Sequence, residues 1–107
     1  MEPQDYAISH FDGMSRLGRA LKELPAQILR HEYHGEAFGS WLLTFRYRGS
    51  VAELAFDGKD DLLQLRRSAD RHPPYGFGPW KDVSVVGGVA TLDDAAVQQI
   101  VSAVVGP

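Results

Sequence analysis

A short segment of the sequence, HEYH, has residue types that could bind a metal ion. His31, Glu32 and His34 all carry metal-ligating atoms, but the segment is one residue shorter than the helical HExxH motif. On a strand, residues three positions apart point to opposite faces of the sheet. We therefore expect no metal site here and interpret the two histidines as ordinary strand and turn residues.

Asp57, Asp60 and Asp61, with Glu53 upstream, form an acidic cluster that a glycine and a lysine interrupt. A calcium loop of the EF-hand type needs ligands at alternating positions and a glycine at the sixth, and DGKDD does not follow that order. Asp and Gly are typical of hairpin connections. We interpret the cluster as a solvated hairpin turn, and the alternative is an acidic patch that meets a basic partner.

Residues 68–80, SADRHPPYGFGPW, read as a long irregular loop because they contain three prolines, two glycines and three aromatic residues. Two interpretations stay open. In the first, Trp80 and another aromatic side chain pack onto a sheet and fix the loop. In the second, rigid prolines present His72 and Tyr75 to a partner, since ordered loops often carry contacts and interfaces favour aromatic residues.

The sequence contains no recognisable catalytic constellation. The GMSRLG segment at residues 13–18 is one residue too long for the G-x-S-x-G nucleophile elbow, and no strand precedes it. The chain has no cysteine, which excludes disulfides, thiolate metal sites and a cysteine nucleophile. We expect neither an enzyme nor a bound cofactor or metal.

These candidate residues must be positioned by residues 40–67, which alternate apolar and polar side chains and predict an antiparallel meander. A type II′ turn with Gly49 and Ser50 at its centre predicts one set of cross-strand neighbours. That register pairs Tyr47 with Ala52, Phe45 with Leu54, and Leu43 with Phe56. A loop over residues 58–61 then pairs Phe56 with Leu63 and Leu54 with Leu65.

The same register places Glu53 between Arg46 and Arg66 on the opposite face of the sheet. One interpretation is a solvated face with cross-strand ion pairs, each contributing about 0–1 kcal/mol. The other is a binding surface, because three neighbouring side chains make this face less polar than solvation requires. Those three are Leu42, Val51 and Ala55.

The flanking segments predict two helices and further strands. We expect a loose arm over residues 1–10, then a helix with Asp12 as its N-cap, a stripe of Met14, Leu17, Leu21 and Leu24, and an end before Pro25. Residues 26–34 read as a first strand, although residues 26–31 could instead extend the helix. Residues 81–86 read as a fifth strand. A capping box of Thr91 and Asp94 opens a second helix, which Gly106 ends.

Composition limits the function classes. With 107 residues, 44% hydrophobic content and a net charge of −3, the chain is expected to form one globular domain, residues 1–107, and not to bind nucleic acid. No apolar run approaches the roughly 20 residues of a membrane span, and the acidic N-terminus does not resemble a secretory signal. We expect a cytoplasmic protein without membrane contact. Many Ala, Gly and Arg with few Lys are typical of a GC-rich bacterial genome.

Together these patterns predict an α+β fold, a two-layer sandwich. Its four- to five-stranded, mainly antiparallel meander carries an N-terminal and a C-terminal helix packed on one face, in the order α-β-β-β-β-(β)-α.

The functional hypothesis is a non-catalytic module that binds one protein partner, in the manner of a bacterial immunity or antitoxin-type inhibitor that occludes a basic toxin or effector. The expected contact residues are Arg46, Glu53, Arg66, Asp57, Asp60, Asp61, His72, Tyr75 and Trp80. The alternatives are a small-molecule-binding or enzymatic domain with a pocket under residues 71–80, in which His72 acts with a carboxylate, a secretion chaperone, and a homodimer joined through the sheet.

Overall fold

The structure, a computed structural model, describes residues 3–69 and 79–106. Its elements are α1 (Pro3–Glu23), β1 (Gln27–His34), a 3₁₀ turn (Gly35–Ala37), β2 (Ser40–Tyr47), β3 (Ser50–Asp57), β4 (Leu62–Ala69), β5 (Lys81–Gly87) and α2 (Asp94–Val105). The five strands form one antiparallel sheet in the order β1-β2-β3-β4-β5. The predicted α+β order and the antiparallel meander are confirmed.

The β2–β3 hairpin has the predicted faces but not the predicted register. Tyr47 pairs with Ser50 rather than with Ala52, Phe45 with Ala52, and Leu43 with Leu54. The reason is the turn: Arg48 and Gly49 both have positive φ, 49° and 76°, which defines a type I′ loop rather than type II′. Each partner moves by two residues, and a two-residue shift leaves every side chain on its original face.

The β3–β4 hairpin is as predicted. Phe56 pairs with Leu63, Leu54 pairs with Leu65, and the connection covers residues 58–61. The polar DGKDD segment therefore forms the turn, because its Asp and Gly residues tolerate the backbone conformations that a short connection requires. Asp61 is one of them, with φ of 51°.

The edge strands settle two open points. Gln27–His34 is a strand, not a helical extension, and it pairs with β2 with an irregularity between Ile28 and Arg30. The fifth strand forms at Lys81–Gly87 and pairs with β4, again with an irregularity, between Leu65 and Arg66. β4 extends to Ala69, so Ser68 and Ala69 are strand residues and not loop residues as the sequence predicts.

The prediction of a loose arm over residues 1–10 is wrong for residues 3–10, because α1 begins at Pro3. Proline is favoured in the first turn of a helix, where its missing N–H is not needed. Tertiary packing supports this half of the helix: His10 is buried and continues the stripe of Leu17 and Leu21. Asp12 consequently lies within α1 and does not cap it.

The helix α2 has a different N-cap from the predicted one. Asp93, rather than Thr91, is the cap, and its Oδ1 accepts a hydrogen bond from the Ala96 N–H at 2.9 Å. On the side of α2 that faces the sheet, Ile100 and Val104 are fully buried. At the other end, Gly106 follows the helix as predicted and its N–H donates to the Ser102 carbonyl at 3.0 Å.

Both helices cover the same side of the sheet, which we call the inner face, and the two layers enclose one core. The largest fully buried side chains of that core are Leu17 and Leu21 from α1, Phe45, Leu54, Leu63 and Leu65 from the sheet, and Ile100 and Val104 from α2. Arg67, on the inner face, donates to the Val104 carbonyl and ties the end of α2 to β4. Within residues 3–69 and 79–106, no helix is long and apolar enough to cross a membrane.

Candidate functional site

One row of paired residues crosses all five strands on the opposite, outer face of the sheet. The row runs Arg30, Thr44, Glu53, Arg66 and Asp82. A guanidinium nitrogen of Arg66 lies 3.8 Å from Glu53 Oε1, and its Nε lies 3.4 Å from Asp82 Oδ1. Arg66 is therefore flanked by two carboxylates, and the charges of this row largely compensate one another.

Arg46 does not belong to this row, so the prediction that Arg46 lies next to Glu53 is wrong. Because of the I′ turn, Arg46 pairs with Val51 and Gln27 instead of Glu53. Its Nη1 donates a hydrogen bond to Gln27 Oε1 at 3.0 Å. The contact of Glu53 with Arg66 is confirmed, and Arg66 also donates to Gln64 Oε1 at 2.9 Å.

The middle of the outer face is largely buried, contrary to the first of the two interpretations, a solvated face. Val51 is 0% exposed, and Thr44 and Ser68 are also buried. The Glu53 side chain is only 13% exposed. A partly desolvated ion pair costs more to break than a surface pair, because the group left behind has lost its water. Glu53 and Arg66 are thus better placed to stabilise the sheet than to bind a partner.

Among the predicted contact residues that the structure describes, the exposed ones lie in the acidic turn. Asp57 and Asp60 are exposed, whereas Asp61 is partly buried. Asp57 Oδ1 accepts a hydrogen bond from the Lys59 N–H at 3.0 Å, which orders the turn. Within the described ranges, no group of three or more His, Asp or Glu residues is arranged to hold a metal ion.

Next to this turn, apolar side chains are exposed on the outer face of β4 and β5. Leu62 pairs with Asp57 and is 45% exposed; Val85 pairs with Gln64 and is 61% exposed. The Asp82 carboxylate, 73% exposed, lies on the same face of β5. A shallow groove runs between Leu62, Val85 and Asp57. We call this region the acidic edge patch and define it as Asp57, Asp60, Leu62, Asp82 and Val85.

Most of the contact residues predicted within residues 68–80 lie outside the residues that the structure describes. His72 and Tyr75 lie outside the described residues, as does the pocket expected beneath residues 71–80. Trp80, immediately before β5, is partly buried and makes a contact with its surroundings.

On the inner face, α1 brings a histidine to the histidine of β1. His10 Nε2 lies 2.8 Å from His31 Nε2, so one ring donates and the other accepts a hydrogen bond. The His10 ring also stacks on Tyr33, with ring centroids 4.1 Å apart. Burial, and then the nearby charge of His31, lowers the pKa of His10 from 6.5 to about 4. His34 is not part of this cluster, and its Nδ1 lies 3.6 Å from Glu36.

A cavity of about 280 Å³ adjoins His10 at the end of the sheet. Trp41 and Phe56, paired across β2 and β3, stack with centroids 5.8 Å apart and form part of its wall. Phe38 and His10 supply two further rings. We call this the aromatic cavity. Sequence reasoning missed it, because its walls come from four separate segments, residues 9–16, 38–41, 56–58 and 90–92.

An unusual backbone conformation positions Phe38 at the cavity. Phe38 has φ of 59°, a left-handed conformation that is rare for a bulky side chain, and it is 58% exposed. Gly58 makes this position attainable, since a Cβ on Gly58 would lie 1.9 Å from the Phe38 carbonyl oxygen. Ser40 Oγ joins the two segments by donating to the Ala37 carbonyl and accepting from the Gly58 N–H.

Charged groups also line the cavity. Arg16 Nη2 lies 2.9 Å from Asp12 Oδ2, one helical turn earlier. Arg16 Nη1 donates to the Leu92 carbonyl at 3.2 Å, which fixes the guanidinium between α1 and the segment before α2. With His10 neutral at pH 7, the two charges cancel. The cavity therefore offers hydrogen-bond donors and acceptors without a net charge.

Comparisons with protein-family models, with curated proteins and with solved structures find no significant match to this chain.

Proposed function

We propose that this chain is a non-catalytic protein-binding module and that the acidic edge patch is its main contact surface. The partner is a protein with basic residues around an apolar centre. The most specific form of the proposal is a bacterial immunity or antitoxin-type inhibitor that occludes a toxin or effector.

The observation that supports this proposal is the combination of exposed Leu62 and Val85 with exposed carboxylates around them. Interfaces typically have an apolar centre and a polar rim, and neighbouring exposed apolar side chains with polar groups around them fit that pattern. The chain carries a net charge of −3, and three of its acidic residues lie together in the patch at one edge. Opposite charges would steer a basic partner to that edge and speed association.

The proposed surface is shifted relative to the surface that the sequence predicted. Arg66 is engaged by Glu53, Asp82 and Gln64, so its charge is not available to a carboxylate of another protein. The turn residues Asp57 and Asp60 keep their predicted role. His72, Tyr75 and Trp80 stay predicted contacts that would enlarge the surface.

The test begins with capture of the partner and continues with two purified proteins. A tagged chain is used to isolate a partner from the cell of origin, and the complex is then reconstituted and titrated at several salt concentrations. Asp60→Lys should weaken it about tenfold or more, and salt should weaken the wild-type complex. Glu36→Lys is the matched control, because Glu36 is also exposed but lies outside the patch.

Equal loss of affinity in the Glu36→Lys control, or a complex insensitive to salt, would show that the patch is not the contact surface. Light scattering on the free chain adds a second check. A stable homodimer that disappears with Val85→Lys would mean that the patch binds a second copy of the chain, and the proposed basic partner would be wrong.

A further inference from the structure

We propose that the aromatic cavity binds a small uncharged heteroaromatic molecule, with its ring between Phe38 and the Trp41–Phe56 pair and its polar edge toward Arg16 and Asp12. This site is separate from the protein-binding surface, since no residue of the acidic edge patch lines the cavity. The two proposals can therefore fail independently.

The size of the cavity limits the ligand. Pockets for drug-sized molecules have volumes of about 300–1,000 Å³. A volume of about 280 Å³ lies just below that range and suits a molecule of one or two rings. The mouth is formed partly by Phe38, whose ring is mostly exposed in the free chain and would lose that exposure when a ligand covers it.

The walls favour an aromatic ligand. Trp41 and Phe56 present a stacked pair, and His10 is stacked against Tyr33 beside them. Aromatic rings interact favourably with one another in offset-stacked and edge-to-face arrangements, beyond the benefit of burying their area. The left-handed backbone of Phe38 and its support by Gly58 fix a fourth ring at the opening. Strained backbone of this kind is concentrated at ligand-binding and active sites.

The polar groups favour an uncharged ligand with both a donor and an acceptor. Arg16 and Asp12 neutralise each other at 2.9 Å, so neither an anion nor a cation gains net attraction. Arg16 has five N–H groups, of which one contacts the Leu92 carbonyl and another faces Asp12, so donors remain. The Asp12 carboxylate can accept from a ligand N–H. A heterocycle that carries an acceptor next to a donor matches this pair.

The experiment is an NMR titration of the full chain with adenine, benzoate and benzamidine as neutral, anionic and cationic aromatic probes of similar size. Adenine should cause saturable shifts of the Gly39, Gly58 and Leu92 amides, with an affinity about tenfold or more above that of either charged probe. Intermolecular NOEs should connect adenine protons with the rings of Phe38 and Trp41.

Two substitutions control for the position of binding. Ala90→Phe places a ring in the cavity from an exposed position and should abolish the shifts. Ala95→Phe makes the same change at an exposed residue of α2 outside the cavity and should leave them intact. The proposal is overturned if adenine gives no saturable shifts in the wild type, if the shifts persist with Ala90→Phe, or if the charged probes bind as well as adenine.

Discussion

The outer face of the sheet and the aromatic cavity handle their charged groups in different ways. On the outer face, charges are paired along and across the strands, and Arg66 lies between Glu53 and Asp82. Around the cavity, an Arg–Asp pair lies beside aromatic walls and a histidine that burial keeps neutral. The first arrangement buries the centre of a face, and the partner surface that we propose lies at its edge. The second leaves room for a ligand between two layers.

The largest expected effect tests the packing at the mouth of the cavity. Gly58→Ala should destabilise the fold by about 3 kcal/mol, because the new methyl group would collide with the Phe38 carbonyl oxygen and force the backbone to move. Urea denaturation measures the change. Gly18→Ala is the control, since its Cβ would meet no atom within 4 Å; in mid-helix it should stabilise by about 0.5–1 kcal/mol. Equal stability of Gly58→Ala and the wild type would contradict the described contact.

The second expected effect is a pH dependence of stability that originates at His10, beside the cavity. The pKa of His10 is lowered from 6.5 to about 4 in the folded chain. The contribution of neutral His10 to the free energy of unfolding is therefore fully present above pH 6.5. As the pH falls from 6.5 toward 4, the unfolded chain binds the proton first, and up to about 3 kcal/mol of stability is lost.

Urea denaturation over pH 4–7 should show this loss in the wild type and in His34→Gln, which alters an exposed histidine. His10→Phe should reduce it strongly. A pH dependence that survives in His10→Phe would place its origin elsewhere, for example at the outer-face carboxylates.

The third expected effect compares the two carboxylates of Arg66. Glu53→Gln should cost about 1–2 kcal/mol, because its side chain is only 13% exposed and Arg66 would keep a partly desolvated charge. Asp82→Asn, at 73% exposure, should cost less than about 0.5 kcal/mol. If the two variants lose the same stability, the outer face is more open than described.

The smallest effect on stability is expected in the acidic edge patch. Asp60→Lys should change the free energy of unfolding by less than about 0.5 kcal/mol, since exposed substitutions without buried contacts are nearly neutral. The same variant is expected to weaken partner binding. A large loss of stability on thermal denaturation would mean that Asp60 has a structural role, and its binding defect could not then be assigned to the surface.

The sequence predicts the buried face of the sheet well because alternation has a period of two. Phe45 and Leu54 face the core in either hairpin register, so the error in the turn did not affect the core. It did affect the outer face, where cross-strand neighbours depend on the register itself. The predicted register places Glu53 opposite Arg46, whereas in the structure Glu53 pairs with Thr44.

The cavity and the start of α1 could not be predicted because both depend on tertiary contacts. Residues 3–12 contain no strong apolar stripe, and their helix is supported where His10 meets His31 and Tyr33. Arg48 in a left-handed conformation is likewise disfavoured locally and is held by the pairing of the strands on each side. Local sequence patterns do not show which distant segments meet.

The most direct test of the proposed function is NMR cross-saturation in the reconstituted complex, which identifies the amides of the labelled chain that lie against the partner. Signal loss is expected at Asp60, Leu62, Asp82 and Val85, with Phe38 and Thr91 at the cavity unaffected. Signal loss confined to the cavity side, with the β4–β5 edge unchanged, would contradict it.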